Sequence, residues 1–434
     1  MNNFFKVLHN SKSSKARLGE IRTDHGVINT PAFVPVGTKG TIKALTPSFV
    51  KEIGVQVAFV NTYHLVTHPG TEIIEKAGGI HKYSGLNMPL MSDSGGFQVF
   101  SLAREEKTRH RVFSTASPQG GPRRLSREEK PSLVKISEDG VKFRSTFDGK
   151  LIEFTPEKSM EFQRQIGADI NMAFDECIPY GSSYKYSKEA TERTHRWLER
   201  CISTVGNRKT GLEAGQENRE KKTEINPISN FQPPNPFPNP SSNIQYLYGV
   251  IQGGVYEDLR KKSAEYVVGK DTPGVAIGGV SVGETKREMR DQVRWVADYL
   301  PSDRPAHLLG VGQMDDIIDL VKYGLDTFDC VEPTRLARMG TLYKISNLKD
   351  QISKLHLKSK NQEIDITKGI YKNNLERVDT DCECYVCQNF TKSYLHHLFK
   401  QREILGYTLA TFHNLWVMEK LFDGIRAMIE NDLI

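Results

Sequence analysis

Residues 246–283 read YLYGVIQGGVYEDLRKKSAEYVVGKDTPGVAIGGVSVG. The stretch opens and closes on apolar runs that end in glycine, at 246–254 and 274–283. Between them, 258–269 has helical spacing and a glycine at its C-terminal side. A continuous apolar run of this length predicts a strand buried on both faces, as in a parallel sheet. Working outward, six more such runs appear: PAFVPVG (31–37), VQVAFVNTYH (55–64), MPLMSDSGG (88–96), ADINMAFDEC (168–177), AHLLGVG (306–312) and TFDCVEPTR (327–335). Helical spacing or a closing glycine marks 46–54, 70–78, 155–167, 187–205, 285–300 and 314–323. The first of these opens with Thr46-Pro47, a capping residue followed by proline at the first helical position. Eight strands alternating with helices predict an α/β fold of the (β/α)8 TIM-barrel type, with a doubly wound sheet as the rival.

In such a barrel the C-terminal strand ends carry the chemistry. Here those ends are Asp93-Ser94-Gly95-Gly96, Asp175-Glu176-Cys177, Gln252-Gly253-Gly254, Gly278-Gly279 and Asp329-Cys330. Several carboxylates converging on one mouth suit sugar chemistry, in which one attacks an anomeric carbon and another handles a proton. Any single one of them can equally cap a helix or pair with an arginine. Ser94 invites a serine-hydrolase reading, but no positioned histidine and acid are legible and the G-x-S-x-G elbow is absent. Thr334-Arg335-Leu336-Ala337-Arg338 follows Asp329 closely. Two guanidiniums three residues apart on a helical turn can bind phosphates or base edges. The GGVSVG stretch lacks the spacing of a dinucleotide fingerprint.

The 434 residues hold 59 Lys+Arg against 53 Asp+Glu, a net charge of +6, with a pI near 8.8. That excess permits an anionic partner without demanding one. The composition excludes wholesale disorder and fibrous classes. No apolar run approaches the roughly 18 residues of a membrane helix, and MNNFFKVLHNSKSSKAR does not read as a secretory signal. The expected compartment is therefore the cytoplasm. Of six cysteines, Cys382, Cys384 and Cys387 fall within six residues. Three thiolates that close suit a soft cation such as zinc, with His396, His397 or His413 as the fourth ligand. A closed four-ligand site would be structural. Residues 104–136 are charged and 207–243 are proline-rich, with six prolines from Pro227 to Pro240. Both are expected to be surface insertions, because neither buries enough apolar area to offset its ordering entropy. Arg123, Arg124 and Arg127 are read as a solvated loop rather than an RNA contact.

Taken together, NTYHL (61–65), SDSGGFQVFSL (92–102), MAFDEC (172–177), GVIQGG (249–254), GGVSVGE (278–284), GVGQMDD (310–316), FDCVEPTRLARMGTLY (328–343), CECYVC (382–387) and HNL (413–415) resemble the bacterial-type queuine tRNA-ribosyltransferases, or tRNA-guanine transglycosylases. The resemblance spans nearly the whole chain except the two insertions. It implies one (β/α)8 catalytic domain over 1–434 with a zinc-binding subdomain at 378–415. The implied reaction exchanges guanine at wobble position 34 of GUN-anticodon tRNAs (Asp, Asn, His, Tyr) for 7-aminomethyl-7-deazaguanine, in queuosine biosynthesis. By the same resemblance Asp329 is the nucleophile on ribose C1′ and Asp93 the general acid/base. Asp93, Ser94, Gly95, Gly96, Phe97, Asp175, Gln252 and Gly279 hold the base. Gly310, Val311, Gly312, Gln313, Met314, Asp315 and Asp316 contact RNA, as do Thr334, Arg335, Leu336, Ala337 and Arg338. One structural Zn2+ takes Cys382, Cys384, Cys387 and His413. The partners implied are a tRNA anticodon arm, a 7-deazaguanine base and a second copy of the chain in a homodimer.

Such chemistry is physically coherent. Exchange with retained configuration needs two displacements, and a carboxylate such as Asp175 accepts two hydrogen bonds from a guanine-like edge. Phe97 stands where the family often has Tyr, Glu332 where an apolar residue is usual and Met339 where Asn is usual. Val282 resembles members that take the small aminomethyl base, whereas glycine there would admit queuine. A non-catalytic tRNA-binding subunit is the main rival, and the presence of Asp329 and Asp93 argues against it. A conventional barrel glycosidase leaves the cysteines and the arginine pair unexplained.

Overall fold

The computed structural model describes residues 4–97, 134–145, 149–217, 245–345 and 363–434. Eight short strands follow one another around a closed parallel barrel: β1 (Ala32–Pro35), β2 (Ala58–Val60), β3 (Leu90–Ser92), β4 (Ile170–Met172), β5 (Tyr246–Ile251), β6 (Gly274–Ile277), β7 (Ala306–Leu308) and β8 (Thr327–Cys330). Their spatial order is β1-β8-β7-β6-β5-β4-β3-β2. A parallel bridge between Val36 and Phe59 closes β1 onto β2. Each strand is one of the eight apolar runs, so the barrel stands and the doubly wound sheet does not.

Both faces of these strands are buried, which is why the runs are apolar without interruption. Ala32, Val34, Ile170, Met172, Tyr248, Val250 and Ala276 alternate inward into the lumen core. Phe33, Leu247, Ile251, Val275, Ile277 and Phe328 point outward to the helices. The lumen is stopped at the strands' N-terminal end by Ile21 and Ile28 of an antiparallel sheet, Phe5–Asn10, Arg17–Thr23 and Gly26–Thr30, and by Phe4 just before it. Phe4 stacks on Tyr246 with ring centroids 3.7 Å apart. Arg17 fixes that sheet with a buried two-pronged pair to Asp326, at 3.0 and 2.6 Å.

Helices fill the expected connections, among them Pro47–Ile53, Pro156–Ile166, Glu257–Val268, Lys286–Val296 and Met314–Val321. The Thr46 hydroxyl accepts from the Phe49 amide, Thr155 from Lys158 and Thr285 from Glu288, each satisfying an orphan donor of the first turn. The helix expected at 187–205 runs farther, Tyr184–Glu217, into the stretch expected to be the second insertion. The end of the first expected insertion is a strand, Val134–Ile136, paired to Val141–Arg144 and through it to Leu151–Phe154. The remainder of 104–136 and of 207–243, Arg123, Arg124 and Arg127 included, lies outside the described residues.

After β8 the chain forms Glu332–Met339, then pairs Thr341–Tyr343 with Glu363–Asp365. Tyr385–Asn389, Lys392–Gln401 and the long helix Ile404–Glu430 follow. The long helix reaches back to the barrel: Phe422 packs against Phe33 of β1 and Phe328 of β8. Among the described residues no helix is long and apolar enough to cross a membrane.

Candidate active site

A cavity of about 880 Å3 opens at the C-terminal ends of the strands. Asp93, Asp175, Gln252 and Asp329, from four separate strand ends, all line it. Strand alternation explains Asp329: Phe328 faces outward to the helices, so Thr327 and Asp329 face in. Asp329 Oδ1 accepts from the Gly310 amide at 2.9 Å and from His307 Nε2 at 3.1 Å. His307 is buried, and its Nδ1 meets the Thr327 hydroxyl at 2.8 Å. With that hydroxyl donating to Nδ1, Nε2 carries the proton that Asp329 accepts. Both bonds land on Oδ1. Among the described residues Oδ2 has no partner, so one carboxylate oxygen is fixed and the other is presented to the cavity.

Asp93 follows β3 and is held differently. Its Oδ1 accepts from the Thr62 amide at 2.7 Å, and its Oδ2 from Asn61 Nδ2. Both donors come from the start of Thr62–Thr67, where first-turn amides face outward for an acceptor. Asp175 lies deeper and is buried. It accepts from Ser94 Oγ at 3.0 Å and from Gln252 Nε2 at 2.7 Å. Burial lifts its carboxyl to about 6, against the opposing pull of those two hydrogen bonds. Ser94 thus orients an acid and, among the described residues, meets no histidine, which argues against the serine-hydrolase reading.

The glycines at this site serve close approach. A Cβ on Gly96 would sit 2.7 Å from the Asp175 carbonyl oxygen, and one on Gly279 2.4 Å from Gln252 Oε1. Gly279 also has a φ of +61°, which favours glycine. Among the described residues Gln252 Oε1 is buried without a hydrogen-bond partner. Gly95 packs against the Phe154 ring, and Phe97 stands half exposed at the rim.

The two segments expected to meet RNA divide by burial. Gly310, Val311, Gly312, Gln313, Asp316, Arg335 and Leu336 line the cavity. Met314, Thr334 and Ala337 are buried in the packing of their helices. Asp315 and Asp316 are paired with Lys286 at 2.6 and 3.3 Å, and Asp316 with Arg290 at 2.6 Å. Arg338 turns back to the Thr334 carbonyl at 2.6 Å. Glu332 accepts from Gln313 at 2.9 Å.

Cys382, Cys384, Cys387 and His413 come together, all buried. His413 Nδ1 lies 3.8, 3.3 and 3.5 Å from the three sulfurs. A tetrahedral ion with about 2.3 Å bonds to sulfur and about 2.05 Å to nitrogen sets those separations near 3.6 Å. His413 Nε2 donates to the Tyr343 carbonyl at 2.7 Å, leaving Nδ1 as the lone-pair nitrogen. His396 instead bonds the Ile366 carbonyl at 2.8 Å, and His397 is exposed. The set can hold a metal ion and leaves no protein-free position for a reactant.

A sequence model of the family described as queuine tRNA-ribosyltransferase matches residues 11–131 and 127–434. The chain belongs to the queuine tRNA-ribosyltransferase family. It is 40% identical over 428 residues to a queuine tRNA-ribosyltransferase of Caldanaerobacter subterraneus, covering 99% of this chain and 94% of that one. It is 41% identical, with the same coverage, to that of Thermoanaerobacter pseudethanolicus. It is 39% identical to that of Roseiflexus sp., covering 98% and 95%. Members of this ribosyltransferase family are pentosyltransferases, so the chain is an enzyme.

Within this ribosyltransferase frame, sequence reasoning missed several supports. His307 sits in an apolar strand, where a lone histidine reads as core. Asn61 and Thr62 lie in a quoted motif but gave no hint of holding Asp93. Glu176 proves structural, pairing with Arg193 and accepting from Tyr186 at 2.6 Å. A second histidine cluster lies at the barrel's other end. His25 and His81 reach the two oxygens of Asp169 at 2.7 and 3.2 Å. Their rings stack 3.4 Å apart and 7° from parallel. One ion cannot lie in both ring planes, as imidazole ligation prefers, so the cluster is a hydrogen-bonded strut between the N-terminal sheet and the barrel.

Proposed function

We propose that this enzyme exchanges guanine 34 of GUN-anticodon tRNAs, those for Asp, Asn, His and Tyr, for 7-aminomethyl-7-deazaguanine by double displacement. The observation that carries the reading is the asymmetric hold on Asp329: Oδ1 tied by His307 and Gly310, Oδ2 facing the cavity that Asp93 and Asp175 also line. Oδ2 attacks ribose C1′ and the bond to guanine breaks, leaving the ribose esterified to Asp329. Asp93 gives a proton to the departing base and then takes the N9 proton of the incoming one. The second base attacks C1′, the ester bond breaks and Asp329 is free again. Two inversions retain the configuration.

For recognition, Asp175 accepts from the ring N–H and exocyclic amine of a guanine-like base. The second N–H of the Gln252 amide and the backbone N–H groups near Gly279 meet the ring carbonyl, and Phe97 offers a rim surface for stacking. The wobble base must leave its stack to enter. Arg335, Leu336 and the 310–313 loop meet the flanking nucleotides. Cys382, Cys384, Cys387 and His413 hold one zinc ion, which supplies fold stability and takes no part in the exchange. The working form is a cytoplasmic homodimer.

The test is base exchange on unmodified tRNA-Tyr transcript, with labelled guanine, the aminomethyl base and queuine supplied separately. Uptake of guanine and the aminomethyl base but not queuine is expected, with Val282 narrowing the pocket. Uptake of queuine overturns the substrate assignment. Uptake of no base, with tRNA still bound, overturns the activity.

A further inference from the structure

Arg260 is fully buried behind the base pocket, in the first turn of Glu257–Val268. Its guanidinium uses every N–H it has. Nε donates to the Gly254 carbonyl at 2.8 Å. Nη1 donates to Gly278 at 2.6 Å and, less closely, to Ile251 at 3.4 Å. Nη2 donates to the Gly279 carbonyl at 2.6 Å and to Gln292 Oε1 at 2.7 Å. Among the described residues no carboxylate forms an ion pair with it. A buried cation whose hydrogen bonds all go to carbonyl oxygens, with Glu284 acting on it only through space, is expensive and is a poor device for stability.

What the clamp does follows from peptide geometry. In a trans peptide the C=O and the next N–H point in opposite directions. The carbonyls of Gly278 and Gly279 both turn toward Arg260, so the amides of Gly279 and Val280 turn away from it. Gly278, Gly279 and Val280 line the cavity. Neither the Gly279 nor the Val280 amide has an acceptor among the described residues, whereas the Gly278 amide donates to Ile251. The geometry points to Arg260 as a positioning residue that aims these two N–H groups into the pocket as donors for the carbonyl of the bound base. The fixed positive charge polarises the same two peptides and strengthens them as donors. Arg260 touches no substrate atom and acts through the backbone. This role rests on the pocket being the site of a guanine-like base.

The test compares 7-deazaguanine with 2-amino-7-deazapurine, which lacks the ring carbonyl, as competitors of labelled guanine. Wild-type enzyme prefers the carbonyl-bearing base. Arg260→Lys keeps the charge but not the planar fork. It is expected to weaken 7-deazaguanine about tenfold, the worth of one hydrogen bond, while 2-amino-7-deazapurine and tRNA bind as before. Gln292→Leu frees one anchor of the guanidinium and should lose part of the same preference, which gives a readout if the lysine variant does not fold. Equal weakening of both competitors marks mere loosening and overturns the role of Arg260 alone, as does an unchanged preference in Gln292→Leu when Arg260→Lys is unfolded. Failure of either competitor to displace guanine from wild-type enzyme overturns the base-pocket reading itself.

Discussion

Burial lifts the Asp175 carboxyl to about 6, even though Gln252 and Ser94 both donate to it. The charged form is the one that accepts two hydrogen bonds from a guanine edge. Above pH 6 the free enzyme presents that form; below pH 6 a proton occupies it. The expected result is that kcat/KM for the base falls about tenfold per pH unit below 6, while tRNA affinity changes little in the same range. Asp175→Asn should remove this acid limb and leave a low, flat profile. A wild-type profile flat down to pH 5 would contradict the assignment. At the same scale, Asp329 and Asp93 are two carboxylates with different surroundings. One is anchored through a single oxygen by a histidine and an amide, the other through both oxygens by an amide and a side-chain amide. That difference matches an attacker with a free oxygen and a proton carrier held in place.

At the scale of elements, the long helix Ile404–Glu430 joins two jobs. His413 in its first half meets the three cysteines, and Phe422 in its second half packs on β1 and β8. Cys384→Ser is therefore expected to lose the metal, from about one zinc per chain to none, and to lower Tm by several degrees. Metal analysis and thermal unfolding check this; a full zinc complement in the variant would contradict the ligand set. The helix was not legible in the sequence. It is buried by the barrel on one side and the cysteine unit on another, so its apolar residues form no single stripe. The barrel strands were legible for a related reason, since strands buried on both faces leave unbroken apolar runs. The N-terminal sheet was missed because FKVLHN alternates exposed and half-buried residues over only six positions. Acids at strand ends could be found by position alone. His307 and Arg260 could not: one looks like core, and the other hides in EDLRKK, which reads as a solvated helix face.

At the scale of the whole molecule, the N-terminal sheet and the barrel are joined by buried polar struts as well as by apolar contact. Burial by itself would raise the Asp169 carboxyl, but hydrogen bonds from His25 and His81 hold it down at about 2. The unfolded chain therefore takes up a proton more readily than the folded one between about pH 4 and pH 2. The strut's contribution is complete above that window and is lost as pH falls through it, a difference of ~2 kcal/mol. Asp169→Asn should lower stability by about that amount at pH 7, and the two proteins should converge near pH 2 in denaturant melts. Equal stability at pH 7 would contradict the strut. None of this touches the mouth at the other end of the barrel, where the account stands or falls on Asp329. The most direct measurement is mass spectrometry of acid-quenched enzyme during turnover with tRNA-Tyr. The expected result is base-free tRNA joined to the peptide that contains Asp329, with no adduct and no exchange in Asp329→Asn although tRNA still binds. Retained turnover in that variant, or an adduct on Asp93, would contradict the central claim.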